Sequence, residues 1–70
     1  MKNPFGNETD NELKSIYEEM LKAREEGIRP RILDIYIQEV RNNYPLNVAE
    51  GWEFTEQLFF EEVARRYFEM

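Results

Sequence analysis

The chain has 70 residues, 41% hydrophobic and 34% charged, with no Cys, no His, and 15 acidic against 9 basic side chains for a formal net charge of -6. A core of this size supplies only about 3–5 kcal/mol unaided, and without Cys or His there is no disulfide framework and no usual zinc ligand to add to it. Helix packing, oligomerisation or a partner protein is left as the route to stability; the expected setting is the cytoplasm, since no run approaches the roughly 18 apolar residues of a membrane span and Met1–Asn7 lacks a signal-peptide core.

Residues 1–8 carry Pro, Gly and Asn without periodicity and read as a flexible N-terminal arm, followed by one helical domain over 9–70. Thr9-Asp10-Asn11-Glu12 has the capping-box form, in which Thr9 accepts from the N–H three residues on and Glu12 reaches back to Thr9. Behind it Leu13, Ile16, Tyr17, Met20 and Leu21 recur at helical spacing, a single apolar stripe about 140° wide. Gly27 stands where a left-handed stop belongs, with Ile28 after it as in a Schellman motif. The first helix is therefore expected over about 10–26.

Pro30 suits the first turn of a helix, where its missing N–H costs nothing, so a second helix is expected from about 30 to 43. Its apolar residues Ile32, Leu33, Ile35, Tyr36, Ile37, Val40 and Tyr44 spread over about 200°, which takes two neighbours to bury. They do not alternate, which weighs against a strand. Tyr44-Pro45 ends the helix, because a residue before Pro is pushed out of the α region.

Asn47-Val48-Ala49-Glu50 is a second capping box, so a third helix starts at Val48 and runs through Gly51, or starts afresh at Trp52, and continues to about Phe68. Val48, Trp52, Phe59, Phe60, Val63, Tyr67 and Met70 share an arc of about 120° and form its expected core face. Phe54, Leu58 and Phe68 fall roughly opposite, where an outer helix should show charge; with Ile35 they are the candidate self-interface or partner contact. The pairs Glu18–Lys22, Glu61–Arg65 and Glu62–Arg66 are spaced for favourable i,i+4 attraction. The fold class expected is all-α, a small three-helix bundle with helix two in the middle, associating through helix three.

Catalytic chemistry finds little to stand on. His and Cys are absent, Ser15 lies on a helix without an evident base, and the adjacent acids Glu18-Glu19, Glu25-Glu26 and Glu61-Glu62 point about 100° apart. A calcium-loop register from Asn7 to Glu18 fails at Glu12, where Gly is required, and at Lys14. Three isolated glycines build no phosphate cradle, so neither metal nor cofactor is expected. Ala23-x-x-x-Gly27-Ile28 with Leu33 has helix-turn-helix spacing and would aim Arg29 and Arg31 at phosphates. However, Ile32-Leu33-Asp34-Ile35-Tyr36-Ile37 lacks base-reading polar side chains, and any tight αα-hairpin uses that spacing. Gln57-Leu58-Phe59-Phe60 has the look of a sliding-clamp-binding peptide but lies mid-helix, whereas such peptides bind extended.

The function expected from these residues is non-catalytic: a small acidic adaptor or regulator that self-associates or binds a partner protein, without direct nucleic-acid or membrane binding. The alternative is an acidic mimic of nucleic acid that inhibits a DNA- or RNA-binding protein. A charge of -6 partly offset by i,i+4 bases is modest for that role.

Overall fold

The computed structural model describes residues 2–68. Helix α1 spans Asp10–Glu26; a 3-10 turn over Arg31–Leu33 leads into α2, Asp34–Asn43; and α3 spans Val48–Phe68. No strand occurs among the described residues. The protein is an all-α three-helix domain.

Local chemistry sets the helix ends. At the start of α1 the Glu12 N–H donates to Thr9 Oγ1 at 3.1 Å and the Thr9 N–H donates to Glu12 Oε1 at 2.9 Å, closing the capping box. At its end Gly27 takes φ 71°, a left-handed conformation that costs an L side chain about 1–2 kcal/mol. The Ile28 N–H then donates to the Ala23 carbonyl at 2.9 Å. Pro30 is extended, so the second helical segment begins one residue later than expected and its first turn is 3-10. Tyr44, before Pro45, is extended and terminates α2. Asn47 and Glu50 close the second box, at 2.8 and 3.0 Å. The third helix starts at Val48 and runs unbroken through Gly51.

The core is built from all segments: Leu13, Ile16 and Met20 from α1, Leu33 from the 3-10 turn, Ile37 from α2, Phe59 from α3, and Phe5. The position of Phe5 corrects the expectation of a flexible arm. Its ring is fully buried, stacked on Tyr36 at 4.3 Å between centroids and edge-on to Phe59 at 5.3 Å. Hydrogen bonds hold the segment there. The Asn3 amide donates to the Leu58 carbonyl at 2.8 Å, the Phe5 N–H donates to Asn3 Oδ1 at 2.9 Å, and the Tyr36 hydroxyl donates to Glu8 at 2.9 Å. Turn residues that mark a loop by composition here seat an aromatic plug.

The buried stripe of α3 is also turned from the expected one. Gly51, Thr55, Phe59 and Glu62 are buried, whereas Val48, Phe60 and Tyr67 are about half exposed and Trp52 and Val63 are partly buried; Met70 lies outside the described residues. The reason is steric. At Gly51 a Cβ would sit 3.1 Å from the Arg41 side chain and 3.5 Å from Ile37, so the small residue lets α2 and α3 approach closely. Thr55 hides its hydroxyl by donating to the Gly51 carbonyl at 2.7 Å.

The Cα atoms extend over 34 × 31 × 16 Å. A helix is about 4.6 Å across its Cα atoms and packed axes lie about 8–10 Å apart, so the shortest dimension is about two helices thick. Burial concentrates between α2 and α3 and around the Phe5 plug, and α1 leans mainly on the 3-10 turn.

Candidate interaction surface

In α1, Leu13, Ile16, Met20 and Ala23 face inward. Tyr17 and Leu21 belong to the same apolar stripe but lie at its edge, 44% and 40% exposed. In α3 the matching edge carries Phe60 and Tyr67, 44% and 51% exposed. Tyr17 of the first edge and Phe60 and Tyr67 of the second face a common groove. An open groove of about 450 Å³ lies between the helices, floored by Leu13, Phe59 and Val63 and walled by Tyr17, Phe60 and Tyr67. A separate, smaller hollow lies at the C-terminal end of α1, lined by Met20, Arg24, Ile28 and Arg29 with Trp52 and Glu56 of α3.

Cations hold the segments together beside both hollows. Beside the groove Arg66 donates from Nε to Glu62 at 2.6 Å, from Nη1 to Asp10 at 3.0 Å, and from Nη2 to the Phe5 and Gly6 carbonyls at 3.2 and 3.3 Å. One guanidinium thus ties α3, the start of α1 and the N-terminal turn together. Glu62 is nearly fully buried and also pairs with Arg65. The hydrogen bond from Arg65, with that from Arg66, holds the Glu62 carboxyl below its usual range despite burial. At the smaller hollow the Arg29 guanidinium lies 5.4 Å from the centre of the Trp52 ring, a cation–π contact. Away from the crevice, burial and the hydrogen bond to Glu8 push the Tyr36 phenol up to about 12.

The four residues expected to form a seam are not brought together as one free patch. Leu58 is half-buried and packs against the core, and Phe54 is half-buried with its ring 5.3 Å from Tyr44. Phe68 and Ile35 are free, at 83% and 76% exposed, but on different helices; Ile35 stands beside Ile32 and Tyr36 in a shallow site shared with Glu8 and Glu12 of the N-terminal side. The cause is the rotation of α3: turning Gly51 and Thr55 inward draws Leu58 toward the core and swings Phe60 and Tyr67 out.

The crevice residues were assigned to the core by periodicity. A signal for the difference did exist. In each helix it is the edge of the apolar arc that remains open: Tyr17 and Leu21 in α1, Phe60 and Tyr67 in α3.

Among the described residues no cluster of acidic side chains is placed to hold a metal ion, and no helix is long and apolar enough to cross a membrane. Comparison of the chain with protein-family models, with curated proteins and with solved structures returns no match.

Proposed function

We propose that this chain is a non-catalytic protein–protein interaction module, an adaptor or regulator that works by docking its α1–α3 face on another protein chain. One observation carries the reading: Tyr17 of α1 and Phe60 and Tyr67 of α3 stand half-exposed around one apolar groove in a domain of only 70 residues. Monomeric proteins seldom leave contiguous apolar surface of several hundred Å² in water unless something docks there. Tyr and Phe are also the side chains that supply large contact area at small entropic cost.

The nucleic-acid mimic draws less from the geometry. A mimic needs free carboxylates at phosphate-like positions, whereas Glu8, Asp10, Glu12, Glu50 and Glu62 all accept hydrogen bonds from the chain's own donors.

The test is site-specific photo-cross-linking in growing cells, with p-benzoylphenylalanine in place of Phe60, of Tyr67, or, as a control, of the exposed Glu19. A discrete adduct is expected at the two crevice positions, absent at the control, and abolished when Tyr17→Glu is added. Equal labelling at all three positions, or no adduct at any, would remove the assignment.

A further inference from the structure

We propose that a second docking face lies between α1 and α2, on the other flank of α1 from the α1–α3 groove, and that its occupant is a basic amphipathic helix of another protein. This face does not depend on the groove: of the residues that line each, they share only Asn11.

The observation is an apolar floor with a rim of one sign. Ile16 of α1, Ile32 of the 3-10 turn, and Ile35 and Tyr36 of α2 line a shallow hollow of about 350 Å³, with Glu8 and Glu12 along its N-terminal side. Ile35 is 76% exposed and Ile32 36%, so the floor is open to a partner. No Lys or Arg is among the lining residues. Glu39 stands one turn beyond Ile35 and Tyr36 on α2 and adds a third carboxylate. The Tyr36 phenol registers this field: burial first, then the hydrogen bond and charge of Glu8 and the charges of Glu12 and Glu39, push it up to about 12.

The sign of the rim selects the occupant. A second copy docked here about a two-fold axis would set Glu8 and Glu12 against the same two residues of its mate, in a chain already at net charge -6. Nucleic acid and an anionic bilayer are repelled by the same carboxylates. A segment apolar on one face, with Lys or Arg at its margins, matches both parts of the hollow: anchors three or four residues apart cover Ile32, Ile35 and Tyr36, and the bases lie toward Glu8, Glu12 and Glu39. Glu8 and Glu12 accept hydrogen bonds from the Tyr36 hydroxyl and the Thr9 N–H, which does not discharge them, so both still attract a cation. The walls are helices and offer no strand edge to an extended segment, so the mode that fits is a helix laid between α1 and α2.

The experiment titrates a model peptide of about 14 residues, Leu and Lys in a helical amphipathic pattern, into the nitrogen-15-labelled chain at physiological ionic strength, with the Leu and Glu peptide of the same pattern as control. Amide shifts centred on Glu12, Ile32, Ile35 and Tyr36 are expected with the Lys peptide and none with the Glu peptide. Ile35→Ser, at an exposed position that leaves the core intact, should weaken binding by at least about fivefold. Glu8→Gln combined with Glu12→Gln should weaken it by at least about threefold; Gln keeps both intrachain acceptors, the capping box included, so helicity by circular dichroism should hold. Tyr17→Ser, in the α1–α3 groove, should leave binding within about twofold, so the two faces stand or fall separately. Shifts scattered over the acidic surface, equal binding of the Glu peptide, or no shift up to about 1 mM peptide would overturn the proposal. So would shifts at Ile35 and Tyr36 on concentrating the chain alone, since the occupant would then be a second copy.

Discussion

Removing the Phe5 ring would leave a void where the N-terminal turn, α2 and α3 meet. Phe5→Ala is expected to cost about 3–5 kcal/mol, comparable to everything a domain this small holds in reserve. Phe5→Leu, which keeps most of the volume, should cost less than about 1.5 kcal/mol. Urea denaturation followed by helicity separates these values, and a cost under about 1 kcal/mol for the alanine variant would mean that the segment is the loose arm its composition suggests. A lone Phe between Pro and Gly belongs to no helical or strand period, which is why pattern alone misses it. Glu62 is hidden from pattern too, since a Glu in a helix reads as a solvated face. Its folded carboxyl titrates below the usual range, so the stability it contributes is complete above about pH 5 and is lost as the pH falls through the folded value. Glu12, held low chiefly by the Thr9 backbone N–H, acts in the same direction. Acid unfolding is therefore expected to begin below about pH 5, and Glu62→Gln should flatten that limb; an unchanged acid limb would remove Glu62 from the account.

At the scale of elements, α1 is the most legible part of the chain because its determinants are local. The Thr9–Glu12 box and the Gly27 stop lie within a few residues of the boundaries they set. The orientation of α3 is not local. It depends on what α2 can approach, and the answer is Gly51 and Thr55, two residues that no hydrophobicity pattern marks as inward-facing. Gly51→Ala should nonetheless raise stability by up to about 1 kcal/mol, since Ala gains helix propensity. The Arg41 side chain has to give by a few tenths of an ångström at Cγ and Cδ while its Nε keeps its hydrogen bond to the Leu46 carbonyl, and Ile37 at 3.5 Å is in ordinary contact. Gly51→Leu has no such room and should cost about 1–3 kcal/mol. Thermal unfolding of the two variants reads both signs, and a destabilised alanine variant would show that α2 and α3 hold Arg41 rigidly between them.

At the scale of the whole molecule, three short helices leave Tyr17, Phe60 and Tyr67 half-exposed, and the groove between α1 and α3 is the consequence. That helix three would carry apolar residues outside the core was legible in its two apolar faces; which residues these are depended on the turn of α3 at Gly51, and so required the fold. The docking face proposed for this chain is the groove walled by Tyr17, Phe60 and Tyr67. Photo-cross-linking in cells with p-benzoylphenylalanine placed in turn at these three positions and at Phe54 and Phe68 tests it most directly. Adducts are expected at Tyr17, Phe60 and Tyr67. Adducts confined to Phe54 or Phe68, or none at any position, would contradict the proposal.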